Sequence, residues 1–213
     1  RSTTQRNDRP ASSAHRPSEV HPGRTPLSVW RSPEFAIAAG AGLSTFGMGL
    51  LLPVLPAYVV QLGASATQVG FLFAASAVAG IIVSVPAALL TARLGRPMLL
   101  IGAPATVALA SVWCGLAGSF STLAAFCIVE GGMAGAYATA STSAIIADAR
   151  PQRSGRALAL YQGAALLGIA TGPALGGLIG PQHVRELFFT NAVVAALVAS
   201  WLAARLGRDQ EPV

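Results

Sequence analysis

The sequence predicts an all-α membrane protein built as a bundle of six transmembrane helices. Three observations carry that prediction. Of the 213 residues, 53% are hydrophobic and only 10% charged, with a mean hydropathy of +0.60, whereas soluble domains carry about 25% charged residues. Six apolar runs follow one another from Phe35 to Ala204. Thirteen of the fourteen basic residues, all of them arginines, fall at the two ends and in alternate joints. A soluble enzyme with so little surface charge would precipitate. The apolar content excludes a disordered chain, and two cysteines are too few for a disulfide scaffold.

Taken in order, residues 1–34 are rich in Ser, Pro and Arg and hold six arginines without an apolar run. They lack the apolar core of a secretory signal and read as a disordered basic cytoplasmic tail. The start at Arg1 rather than Met suggests a missing N-terminal beginning. The apolar runs are Phe35–Leu62, Val69–Ala92, Met98–Ala117, Leu123–Ala147, Ala157–Ile179 and Leu187–Ala204, separated by polar or Gly/Pro-marked joints. Each comes near or exceeds the roughly 20 apolar residues that cross about 30 Å of hydrocarbon as a helix. The alternation expected of barrel strands is absent, so these are helices.

The arginines orient the helices. The tail, the second-to-third joint (Arg93, Arg96), the fourth-to-fifth joint (Arg150, Arg153, Arg156) and the end (Arg205, Arg208) hold 13, and the opposite joints hold only Arg185. The positive-inside rule then makes both termini cytoplasmic, in a multi-pass protein of the plasma membrane. The net charge of +6 and pI near 10.6 therefore reflect topology and anionic lipid rather than nucleic acid.

Three stretches carry motifs. The first, in the fifth run, is Gly168-Ile-Ala-Thr-Gly172-Pro173-Ala-Leu-Gly176-Gly177. Glycines at 168, 172 and 176 form a strip free of side chains that lets a neighbouring backbone approach. Pro173 cannot donate to the carbonyl of Ile169 and is expected to bend the helix. The second is the joint Ala88-Leu-Leu90-Thr-Ala92-Arg93-Leu-Gly95-Arg96-Pro97, where Gly95 permits a tight turn. The third set comprises Pro53 and Pro56, the segment Asp148 to Ala157, and Arg185-Glu-Leu-Phe188-Phe-Thr-Asn191.

The first stretch resembles the antiporter motif GxxxGPxxGG in the fifth helix of drug:proton antiporters of the major facilitator superfamily, with Gly168, Gly172, Pro173, Gly176 and Gly177 all present. The second resembles that superfamily's cytoplasmic signature GxLaDRxGRK through Leu90, Arg93, Gly95 and Arg96. It departs at Ala88, Ala92 and Pro97, and the missing Asp leaves a gating role vacant at Ala92. Asp148 could stand in by pairing with Arg93 or Arg96, or it could be a solvated helix-end residue. The fourth-helix signature is poorly kept, with Ile128 at its Arg position and only Gly131, Gly132 and Gly135 echoing it. The resemblance spans Phe35 to Ala204 and implies the N-terminal half of such a transporter, two inverted three-helix repeats with a substrate site at the midplane. Residues 205–213 would begin the central cytoplasmic loop. The partner is then the missing C-terminal half, which the Arg1 start favours, or a second copy. The runner-up reading is a non-transporting or half-size membrane module that acts only as a dimer.

Glu130 is the only ionisable residue well inside a run. It lies seven residues from Leu123, roughly 10 Å deep at about 1.5 Å per residue. A buried acid costs about 2.5–3.5 kcal/mol on insertion scales and faces a cavity or partner. Glu130 is therefore the candidate proton-coupling residue; the alternative places it near the outer headgroups, paired with Arg185. Thr45, Tyr58, Tyr137, Gln162 and Asn191 are candidate polar lining of a substrate cavity, with Phe46, Met48, Phe71 and Met133 as apolar lining, though any one such residue is more often an ordinary helix-packing residue. Without basic residues inside the runs, a neutral or cationic lipophilic substrate is expected rather than an anion. Cys114 and Cys127 lack partners at metal spacing, and His15, His21 and His183 form no cluster. No metal, cofactor or direct ATP use is expected. An intramembrane Ser protease is excluded, because no Gly-x-Ser-Gly occurs.

Overall fold

The computed structural model describes residues 32–148 and 151–206. Within them lie α1 (Pro33–Leu51), α2 (Leu55–Gln61), α3 (Ala66–Leu94), α4 (Arg96–Ala117), α5 (Phe120–Asp148), α6 (Pro151–Ile179) and α7 (Val184–Leu206). There is no strand among the described residues. Together the helices give six membrane-length spans, with α1 and α2 forming the first. Arg1, Arg6, Arg9, Arg16, Arg24, Arg31, Arg150 and Arg208 lie outside the described residues.

The spans coincide with the apolar runs to within a few residues, except where polar turns extend a helix. α6 begins at Pro151 rather than Ala157; proline suits a first helical turn, and polar first turns carry no apolar signal. α7 begins at Val184, led by the short 3-10 turn Pro181–His183. The first span is not one helix, as the apolar run suggested. Pro53 cannot donate to the carbonyl of Gly49, so the chain tightens into i→i+3 bonds: Leu52 N to Gly49 O at 3.2 Å and Val54 N to Leu51 O at 3.1 Å. Pro56 then sits in the first turn of α2, where no donor is missed.

The joint between α3 and α4 is Gly95 alone, at φ +87°. A side chain there would clash with its own backbone, so glycine is required. α3 opens with a capping box, in which Ser65 accepts from Gln68 N and Gln68 accepts from Ser65 N. Joints this short between helices long enough to cross a membrane make successive spans antiparallel.

Helix pairing reveals a repeat that the sequence does not. The tightest pairs are α1 with α6, α3 with α5, and α4 with α7, followed by α4 with α5 and α1 with α7. Counted as spans, these are first–fifth, second–fourth, third–sixth, third–fourth and first–sixth. Exchanging the first three spans with the last three maps this set onto itself. First and fourth spans run in opposite directions, so the triplets are inverted repeats.

The same symmetry appears in the glycine interfaces. At the first–fifth contact, a Cβ on Gly168 would strike the Gly42 carbonyl and the Thr45 hydroxyl, one on Gly172 would meet Phe46 O at 2.6 Å, and one on Gly176 would strike Leu50 O. From the other side, Gly49 leaves room for the Pro173 ring. At the second–fourth contact, a Cβ on Gly131 would strike Ser76 O, one on Gly135 would strike Gly80 O, and one on Gly80 would meet Gly131 O at 3.0 Å. Both interfaces are thus backbone against backbone.

Two apolar layers fill the bundle. At the end carrying the termini, Ile37, Leu100, Ile145, Val198 and Leu202 are buried together. At the opposite end, Leu51, Val59, Leu123, Phe126 and Phe188 are buried, with Phe126 and Phe188 edge-on at 5.1 Å. Cys114 and Cys127 are buried in this second layer. Arg185 closes it, donating from Nε to Gly115 O at 3.0 Å and from Nη2 to Leu116 O at 3.3 Å. These carbonyls end α4 and have no helical donor. Arg185→Gln is expected to lower stability by about 1 kcal/mol, read as a fall of a few degrees in the unfolding midpoint in detergent. α3 and α6 are the least covered spans, with Ile81, Val85, Leu166 and Leu178 exposed.

Candidate functional site

Between the two apolar layers lies a cavity of about 260 Å³. α5 contributes Glu130, Met133 and Tyr137, whose spacing of three and four residues puts them on one helix face. The alternate face holds Gly131 and Gly135 against α3, so α5 is pulled close on one side and carries its larger side chains on the other. α1 adds Ser44, Thr45 and Met48, α6 adds Tyr161, and α7 adds Asn191. Alanines at 41, 103, 134, 138 and 195 line the rest and leave the space open.

Glu130 is 9% exposed, so it stands inside the bundle rather than at its rim. Arg185 is not its partner, being engaged with the carbonyls that end α4. Asn191 is 2% exposed and lines the same cavity as Glu130. Its Nδ2 also donates to Ser111 Oγ at 3.0 Å. Farther along the cavity, the Tyr137 hydroxyl donates to Ile37 O at 3.2 Å. The Thr45 hydroxyl lies 2.9 Å from both Ala41 O and Ala165 O, so its single proton bridges its own turn and α6. Ser44 Oγ and Ser141 Oγ are buried without a hydrogen-bond partner. The site is an acid and several hydroxyls in an apolar chamber, and no Arg, Lys or His lines it among the described residues.

The structure brings together Glu130, Thr45, Tyr137 and Asn191, with Met48 and Met133 as apolar lining. It does not bring Tyr58 or Gln162 to the cavity: Tyr58 is half-buried against the apolar layer opposite the termini, and Gln162 is exposed on α6. Phe46 packs on that same layer, and Phe71 faces outward on α3. Tyr161, Ser44 and Pro104 also line the cavity and were not singled out in the sequence. A signal for Tyr161 was present, since it precedes Gly168 by two helical turns and so shares the glycine face turned to α1.

Of the antiporter-motif residues, Gly168, Gly172, Pro173 and Gly176 meet α1, and Gly177 faces open space. At the other motif, Leu90 and Arg93 are exposed in the last turns of α3, Gly95 forms the joint and Arg96 opens α4. Asp148 ends α5, but its side chain lies outside the described part of the structure.

Comparison with known proteins agrees with this architecture. Residues 37–213 match the Major Facilitator Superfamily. The chain is 30% identical over 193 residues to the multidrug efflux protein YfmO of Bacillus subtilis, covering 88% of this chain and 47% of that protein. It is 33% identical over 149 residues to the fatty acid resistance protein FarB of Neisseria gonorrhoeae, covering 69% of this chain and 29% of that one. It is 27% identical over 149 residues to the quinolone resistance protein NorA of Staphylococcus aureus, covering 69% and 38%. The chain therefore spans about half the length, or less, of these curated relatives. With a six-span inverted-repeat bundle and a match over most of its length, this chain belongs to the Major Facilitator Superfamily.

Proposed function

We propose that this bundle is one half of a proton-coupled secondary transporter that exports small lipophilic compounds by alternating access, with Glu130 as the proton-carrying residue. The observation that carries this reading is a single buried acid in an apolar, hydroxyl-bearing cavity at the centre of the bundle. Intramembrane acids facing a cavity are the usual vehicles of proton relay. The absence of basic lining among the described residues favours a neutral or cationic substrate. The efflux and resistance named for the relatives support export of drug-like compounds.

The cavity, at about 260 Å³, is at the small end of ligand pockets, about 300–1,000 Å³, as suits one wall of a larger site. The uncovered apolar faces of α3 and α6 suit lipid and a second six-helix bundle, either a C-terminal half or another copy of this chain. The joint of Arg93, Gly95 and Arg96, with Asp148 at the end of α5, serves as the cytoplasmic gate. Both termini lie in the cytoplasm of a plasma-membrane protein, on the strength of the arginine asymmetry.

The test is flux of a fluorescent lipophilic cation such as ethidium from liposomes under an imposed pH gradient. Wild-type flux follows the gradient. Glu130→Gln loses at least about 90% of the gradient-driven rate, an effect of about 1.4 kcal/mol or more on the driven step. Gradient-driven flux that survives unchanged in this variant removes Glu130 from the mechanism. Flux from the chain alone identifies two copies as the working unit; flux only when a second bundle is supplied identifies the heterologous half.

A further inference from the structure

We propose that a groove on the outward side of α4 and α5, at the end of the bundle opposite the termini, seats one acyl chain of a diacyl phospholipid, whose ester group is held at Ser121 and Thr122. The inference does not depend on the reading of Glu130 as the proton-carrying group.

The groove measures about 390 Å³, more than the central cavity. Its walls are Ala110 and Trp113 of α4 and Ala125 and Val129 of α5, and the two alanines leave space that longer side chains would fill. Phe126 is its floor, being buried and edge-on against Phe188 of α7. No charged residue lines it. Ser121 and Thr122 stand at its mouth, in the first turn of α5. Val129 lies seven residues beyond Thr122, about 10 Å deeper at about 1.5 Å per residue. The groove is therefore polar where a bilayer has its headgroups and esters, and apolar where it has hydrocarbon.

Two observations name the occupant. Trp113 is 70% exposed, and Leu109 and Leu116 are exposed on the same side of α4, four residues before it and three after. That face of a membrane-spanning helix meets lipid, and a tryptophan one turn from the helix end suits the headgroup boundary. The second observation is the rotation of α5. Ala134 lines the central cavity and is exposed where that cavity opens. Ala125 precedes it by nine residues, which at about 100° per residue puts the two on opposite faces of the helix. The groove thus turns away from the side on which a second bundle would complete the central cavity, and bilayer hydrocarbon is what remains to fill it. Left empty, its walls would forfeit their dispersion contacts; a flexible acyl chain restores them.

The mouth has a proton to give. Ser119 Oγ lies 2.7 Å from Thr122 Oγ1 and 3.1 Å from Ser121 Oγ, and it accepts from Thr122 N. Three hydroxyls carry three protons and these two contacts use two, so one O–H is left to donate. A lipid ester carbonyl only accepts and matches it. Without a charged residue in its lining, the groove reads chain and ester rather than headgroup charge. Because α4 and α5 join the two triplets of spans, a lipid seated between them fastens one repeat to the other.

The test is native mass spectrometry of the purified chain, reconstituted with dioleoyl phosphatidylcholine or dioleoyl phosphatidylglycerol and released from a mild detergent. The expected spectrum shows the chain alone and the chain with one phospholipid, in similar proportion for the two lipids. Ala125→Phe fills the groove from α5 and cuts the lipid-bound fraction about tenfold or more. Leu166→Phe, on the exposed face of α6, leaves that fraction as in the wild type. Ser121→Ala combined with Thr122→Val lowers it about fivefold, the worth of one hydrogen bond. If Ala125→Phe does not fold, Ala110→Phe fills the same space from α4. Retention undiminished in these variants overturns the proposal. So does retention of phosphatidylglycerol alone, which would trace to a charged group outside the groove. A dimer that Ala125→Phe dissociates overturns it as well, assigning the groove to a second copy of the chain.

Discussion

Gly176→Leu is expected to separate α1 from α6 and to lower the unfolding midpoint in detergent by about 10 °C, while Gly177→Leu leaves it unchanged or slightly raised. The two glycines are neighbours in one motif but differ in what faces them. A Cβ on Gly176 would strike the Leu50 carbonyl, whereas one on Gly177 meets nothing within 4 Å. Backbone cannot turn aside as a flexible side chain can, so the helices must move apart. Overpacking of this kind costs about 3 kcal/mol, and about 1 kcal/mol shifts a domain of this size by roughly 2–4 °C. Separation would also pull Thr45 from Ala165 O and the Pro173 ring from Gly49. Gly177→Leu removes a poor helix former at an open position, worth up to about 1 kcal/mol in its favour. Equal losses in the two variants would mean that the motif acts through helix conformation rather than through close approach.

Gly131→Leu should do the same to the symmetry-related pair, α3 and α5, with a comparable loss of stability. A Cβ on Gly131 would strike Ser76 O, and no rotamer change can relieve a clash with a carbonyl. Gly132→Ala is the matched control. Its nearest neighbour is the Val83 side chain at 3.1 Å, which can yield by a few tenths of an ångström. The expected fall for Gly131→Leu is again about 10 °C, with little change for Gly132→Ala. Gly131 also adjoins Glu130 in sequence, so displacing α5 moves the acid within the cavity. Gradient-driven flux should then fall along with stability. A Gly131→Leu protein with wild-type stability would remove the parallel between the two interfaces.

The two glycine strips show how unevenly the fold could be read from the sequence. The strip on α6 was legible because its glycines recur every four residues and carry a proline between them. Its counterpart on α5 was visible only as Gly131, Gly132 and Gly135 in a weakly kept signature. Nothing in the sequence told which of the three meets the backbone of α3 and which a side chain, since that depends on the rotation of α5 about its axis. Pro53 and Pro56 were noticed as a motif, yet the break between α1 and α2 was not foreseen. An apolar run continues through a turn as readily as through a helix.

The candidate site was partly legible for the same reason. Glu130 declared itself because an acid inside an apolar run has a cost that demands an explanation. Tyr58 and Gln162 looked equivalent to Tyr137 and Asn191, because a polar residue in a span carries no mark of the direction it faces. Tyr58 lies against the apolar layer and Gln162 points out of the bundle, while Tyr137 and Asn191 reach the cavity.

The sequence by itself determined the solvent, the number of spans and the one acid to be accounted for. These follow from hydropathy and charge, which are properties of residues one at a time and accumulate along the chain. The tertiary structure decided the rest: the inverted pairing of spans, the second glycine interface and the placing of Asn191 against Ser111 of α4 and Gly47 of α1. Each of these is a relation between residues far apart in sequence, fixed by how helices rotate to bring their smallest faces together. That packing left the space in which Glu130 stands.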